Sequence, residues 1–133
     1  MTSYDQLIRI IRSRRSIRLF DENSINEKDL NKIIEAGNYA PSYCNTQAWK
    51  FIIIKDKEII NKIVELDAAV YLKKAPVCVL VLYDKRSDNP EYKDYIQSAA
   101  ACIQNMLLAA HSLGIGSCWT CHLPRKKELQ KLL

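Results

Sequence analysis

Residues 92–121 read YKDYIQSAAACIQNMLLAAHSLGIGSCWTC, and their spacing sets the architecture. Ile96, Ala100, Ile103, Leu107 and Ala110 recur three or four positions apart, which predicts a long helix from about Tyr92 to Leu113. Ser98, Ala99, Ala100 and Ala101 are small enough to let a neighbouring helix come close. The middle of the helix is apolar all round, so burial on more than one side is expected. In a chain of 133 residues the second covering surface is naturally another subunit. Gly114 ends the helix, and Ile115–Cys121 reads as a strand.

Outward from this helix the pattern alternates. Pro76–Tyr83 is apolar on both faces and reads as a central strand. Trp49–Ile54, aromatic and β-branched, reads as a buried strand. Lys57–Leu66 is a short helix that continues as a helical turn over Ala68–Lys74, and Asp84–Glu91 is a polar loop. Asn26 with Asp29 caps a helix that buries Leu30, Ile33 and Ile34 and stops near Gly37-Asn38. Ser3 with Gln6 forms a capping box for a first helix carrying Tyr4, Leu7, Ile8 and Ile11 on one face. Pro124 starts a last helix with Leu129, Leu132 and Leu133. Helices mixed with a few strands, without repeat or linker, give one α+β domain over residues 1–133.

Composition narrows the function classes. Hydrophobic residues make 48% and charged residues 26%, a globular balance. No apolar run reaches the roughly 20 residues of a membrane span, and the N-terminus has no signal-peptide layout, so a cytoplasmic protein without membrane contact is expected. Net charge is +5, with Arg12, Arg14, Arg15 and Arg18 within seven positions. Nucleic acid would demand further basic residues interleaved with aromatics, and none stand out. A single small anion such as a phosphate needs only two or three arginines. Five cysteines, an odd number with Cys78 and Cys102 in apolar segments, read as reduced thiols.

Three segments carry candidate chemistry. In Arg14-Arg15-Ser16-Ile17-Arg18 the guanidinium groups bind phosphate bidentately, and the serine can donate to a phosphate or sugar oxygen; the plain alternative is a solvated basic turn. In Pro41-Ser42-Tyr43-Cys44-Asn45-Thr46-Gln47-Ala48-Trp49, Ser42, Asn45 and Gln47 offer polar groups that read the edge of a flat heterocycle; the alternative is an ordinary polar turn. In Leu113-Gly114-Ile115-Gly116-Ser117-Cys118-Trp119-Thr120-Cys121, two glycines admit a ligand close to the backbone and Trp119 offers a ring to pack on it; the alternative is a helix stop and a strand.

In order and spacing these segments resemble the nitroreductase family. Its members carry an arginine-serine motif after the first helix and a Pro-Ser-x-x-Asn-x-Gln-x-Trp stretch. They also carry a long alanine-rich helix ending in Leu-Gly-x-Gly. The resemblance implies a nitroreductase-like fold: a central, mostly antiparallel sheet packed by helices, in a homodimer. It implies FMN as cofactor, with NAD(P)H and a small acceptor, nitroaromatic or quinone, as reactants of a two-step hydride transfer. Arg14, Arg15, Ser16 and Arg18 would contact its phosphate, ribityl chain and pyrimidine edge. Pro41, Ser42 and Asn45 would come from the other subunit. The backbone of Trp119, Thr120 and Cys121 would lie near the reactive edge of the flavin. No catalytic side chain and no metal is implied, since the cofactor carries the chemistry; His111 is expected to be a packing residue. Family members continue past this point into a further strand and a C-terminal segment; the sequence stops at Leu133, so the resemblance implies either a domain truncated at its C-terminus or one that lacks that element.

Two other classes remain. Cys118-Trp119-Thr120-Cys121 is a C-x-x-C, which can be redox-active or bind zinc, although it falls at the end of an expected strand rather than the start of a helix. A flavin-binding protein without turnover is the other.

Overall fold

The computed structural model describes residues 2–21, 23–84, 86, 91–124 and 126–133. Part of the expected polar loop over Asp84–Glu91 (Lys85 and residues 87–90) lies outside them. Helix α1 spans Ser3–Ser13, α2 Glu27–Asn38, α3 Lys57–Glu65, α4 Asp94–Ser112 and α5 Lys126–Leu132; strand β1 is Trp49–Ile54 and β2 Cys78–Tyr83. Short 3-10 turns occupy Tyr43–Asn45 and Val70–Lys74.

Local chemistry accounts for the helix ends. Asn26 caps α2 as expected: its Oδ1 accepts from the Asp29 N–H at 2.8 Å, and its amide donates to the Asp29 carboxylate at 2.7 Å. Asn26→Ala is therefore expected to cost about 1 kcal/mol, read as a lowered midpoint in urea at unchanged slope. The capping box of α1 sits one residue earlier than expected, on Thr2 and Asp5. Asp5 carries a charge and fits the helix N-terminus better than Gln6. At the other end of α4, Gly114 takes φ +75°. Its N–H donates to the His111 carbonyl at 3.0 Å, and Ile115 N–H to that of Ala110 at 2.9 Å. This pair of bonds is the Schellman stop that needs a left-handed residue.

β1 and β2 pair antiparallel, Trp49 opposite Tyr83 and Ile54 opposite Cys78. Alternation divides their side chains. Trp49, Phe51, Val79, Val81 and Tyr83 pack with Ile33, Cys102 and Met106 of α2 and α4. Ile52, Ile54 and Cys78 pack with Ile60 and Ile63 of α3 and with Leu129 and Leu132 of α5. The sheet is thus covered on both faces, which is why β2 is apolar throughout. Coverage does not make it central, however: among the described residues β2 pairs with β1 alone.

Three expected boundaries move. Ile115–Cys121 is not a strand; it makes one isolated parallel bridge, Ser16 to Ser117. Isoleucine, tryptophan and threonine favour extended backbone, but a strand also needs a ladder along its length. α4 begins at Asp94, after Lys93 in a left-handed conformation, and Pro124 itself is not helical, α5 being described over Lys126–Leu132. Much of the apolar face of α1 is left uncovered: Ile8 is half-buried, but Tyr4, Leu7 and Ile11 are exposed, and so is Ile96 on α4.

Candidate functional site

The arginine segment leaves α1 where its last carbonyls lack partners within the helix. Arg15 supplies one, its guanidinium donating to the carbonyls of Arg12 and Arg14 at 2.7 and 2.8 Å. It therefore closes the helix end. Arg14 is half-buried and Arg18 exposed; the Arg18 guanidinium lies 5.9 Å from the centre of the Tyr71 ring, a cation–π contact that holds the group without neutralising it.

Next to this turn runs the glycine segment. Ile17 N–H donates to the Ser117 carbonyl at 3.0 Å. The approach is close because residue 116 is glycine: a Cβ there would meet Ile17 Cγ2 at 3.1 Å. A second tie runs through Tyr71, whose ring carries Arg18 and whose hydroxyl bonds the Thr120 hydroxyl. Cys118 Sγ lies 3.7 Å from the same hydroxyl. Sequence reasoning missed Tyr71 because it stands in a short helical turn without a motif; an aromatic hydroxyl just before the Lys73-Lys74-Ala75-Pro76 boundary was the available signal.

Trp119, Thr120 and Cys121 line a cleft of about 790 Å³ together with Ile17 and Tyr71. One wall is Pro76–Val81, taken consecutively rather than alternately, so the cleft follows the edge of β2. Arg14, Ser16 and Arg18 stand outside the cleft lining.

Pro41, Ser42 and Asn45 are placed elsewhere. Their loop is built from its own polar groups: the Gln47 N–H donates to Ser42 Oγ at 2.9 Å and the Gln47 amide to Asn45 Oδ1 at 2.9 Å. Cys44, Asn45 and Gln47 all have positive φ, a conformation that those bonds help to hold. One group of each amide, the Gln47 NH2 and the Asn45 Oδ1, is thus engaged inside the loop. Tyr43 N–H donates to Ser98 Oγ at 3.2 Å, tying the loop to the first half of α4. The arginine turn is tied to the other end, where Ser13 Oγ lies 2.7 Å from His111 Nε2. Thirteen helical rises separate Ser98 from His111, about 20 Å at 1.5 Å each. One chain does not bring the two groups of residues together.

The cysteines are all free. Burial pushes the Cys102 thiol up to about 11 and raises that of Cys78, which keeps both protonated and unreactive. Cys118 and Cys121 lie on irregular backbone, outside any helix. Among the described residues no three His, Cys, Asp or Glu side chains gather as metal ligands, and no helix is long and apolar enough to cross a membrane.

Comparison with known proteins bears on this arrangement. The model of the nitroreductase family matches residues 11–73 and 68–133. A protein of Archaeoglobus fulgidus named "Putative NADH dehydrogenase/NAD(P)H nitroreductase" is 34% identical over 129 residues, 96% of this chain and 74% of that protein. The protein of the same name from Methanothermobacter thermautotrophicus is 32% identical over 126 residues, covering 93% and 65%. This chain therefore spans 74% and 65% of the length of these two relatives. Among solved structures, an FMN-dependent nitroreductase of Clostridium difficile R20291 superposes with a TM-score of 0.83 at 27% identity, covering 94% of this chain and 76% of that one.

Proposed function

Because this chain belongs to the nitroreductase family, we propose that it is an FMN-dependent oxidoreductase. It works as a homodimer and passes a hydride from NAD(P)H to a small acceptor, nitroaromatic or quinone in class. The observation that carries the reading is the separation of the two groups of polar residues at opposite ends of α4. A two-fold axis across that helix sets the Pro41–Asn45 loop of one subunit beside the Arg14–Arg18 turn of the other, twice over. The exposed apolar residues Tyr4, Leu7, Ile11 and Ile96 would be covered by the same pairing.

The donor set fits a flavin mononucleotide. Arg14 and Arg18 supply permanent positive charge and forked donors for a phosphate, and Ser16 a hydroxyl beside them. Gly116 brings a second backbone segment against the turn. Trp119, Thr120 and Cys121 line the cleft, and their backbone would lie beside a flat ring system bound there. Bound FMN supplies the two-electron chemistry, accepting hydride from NAD(P)H and delivering it to the acceptor. The chain's own residues bind it, orient it and exclude water, and none is needed as nucleophile or base. Free thiols support a reducing, cytoplasmic setting.

Purified protein is expected to be yellow or to take up added FMN, to lose its visible absorbance under anaerobic NADH or NADPH, and to sediment as a dimer. Folded protein that stays colourless with added FMN would overturn the proposal. Flavin that stays oxidised under both nucleotides would leave a binder without turnover.

A further inference from the structure

We propose that His111, acting through Ser13, is a positioning residue for the phosphate-binding turn; this rests on the FMN reading above. Ser13 is the last residue of α1 and directly precedes Arg14. Its Oγ lies 2.7 Å from the Arg9 carbonyl and 2.7 Å from His111 Nε2. A carbonyl can only accept, so the serine proton goes to Arg9, and His111 must donate its Nε2–H to Ser13. The bond spans 98 positions of sequence.

Its place in the fold gives it a purpose beyond packing. His111 belongs to the Schellman stop of α4, its carbonyl accepting from Gly114 N–H. Three residues after Gly114, Ser117 accepts from Ile17. The turn is thus clamped on both sides of Arg14 and Arg15: at Ser13 by α4, and at Ser16-Ile17 by the segment that leaves α4. Both clamps start from the same helix end, so the arginines are carried on a frame that α4 defines. Arg15 cannot replace the first clamp, because among the described residues its guanidinium bonds carbonyls of its own segment, those of Arg12 and Arg14. Loosening the Ser13 tie frees the turn to rotate about its remaining anchor. The phosphate, gripped by forked donors of fixed geometry, is the part of the ligand that feels this.

The test compares FMN with riboflavin, which shares the ring and ribityl chain but lacks the phosphate, by flavin-fluorescence titration of the apoprotein. His111→Ala is expected to weaken FMN about three- to tenfold, the span of one neutral hydrogen bond, while riboflavin moves less than about twofold. His111→Gln, which keeps an N–H donor, should recover most of the loss. Ser13→Ala, at an exposed position, should give the same FMN-selective loss even if His111→Ala folds poorly. The double variant should be no weaker than either single one, since both break one bond. Equal losses for FMN and riboflavin, or no loss in either single variant, would overturn the inference and leave the FMN reading standing. A wild-type chain that binds no FMN would bring down both.

Discussion

Replacing Arg14 and Arg18 together by alanine is expected to abolish retention of FMN, weakening it by at least about a hundredfold. Each guanidinium lost from a phosphate costs about 1.5–3 kcal/mol when its bonds are charge-assisted, and the two losses fall on one group. Neither arginine is paired with an acidic side chain among the described residues, and Arg18 is held by the face of Tyr71. Riboflavin binding should change little. Arg15→Ala provides the contrast: its guanidinium is engaged with the carbonyls of Arg12 and Arg14, so its removal should lower the melting temperature more than it lowers FMN affinity. The measurement is calorimetric titration of each apoprotein with both flavins. A double variant that holds FMN as tightly as the parent would show that the phosphate sits elsewhere.

That contrast between neighbouring arginines marks the limit of what was legible in the sequence. The type of chemistry is written in the residue names, since only guanidinium offers permanent charge with a planar fork. Which arginine faces a ligand depends on how the helix end is satisfied, a three-dimensional matter that spacing does not carry. The same division runs through the fold. Asn26-x-x-Asp29 and Leu113-Gly114 were readable because caps and stops are made by residues within one turn of each other. The two-sided apolarity of β2 correctly told of cover on both faces. It said nothing of ladder partners, because hydrogen bonding in the sheet plane leaves no mark on side-chain pattern. Ile115–Cys121 was misread for that reason: its composition suits a strand, and its single bridge to Ser16 is non-local. Tyr71 carries only a faint local signal, because its importance comes from Arg18 and Thr120, both about fifty positions away.

Gly37→Val should be strongly destabilising, lowering stability by about 3 kcal/mol. Gly37 is buried on α2 where that helix meets α4. A Cβ there would lie 2.9 Å from Met106 Cγ and 3.0 Å from Cys102 Sγ. Cys102 is fully enclosed, at 0% exposure, so it has nowhere to retreat, and the Met106 atom is near the base of its side chain rather than its mobile tip. The helices must part, and the bond from Asn105 to the Ala36 carbonyl at 3.2 Å parts with them. The gain in helix propensity from removing a glycine offsets about 0.5 kcal/mol at most, because valine is β-branched. For a domain of this size the loss corresponds to a melting point lower by roughly 10 °C, measurable by thermal denaturation followed by circular dichroism. Truncating the neighbour tests the cause: if the clash is with Met106, Gly37→Val combined with Met106→Ala should be more stable than the sum of the two single effects predicts. A melting point unchanged within about 2 °C for Gly37→Val alone would mean that α2 and α4 do not pack this closely, and that α4 is free to shift the two ends on which the polar residues are mounted.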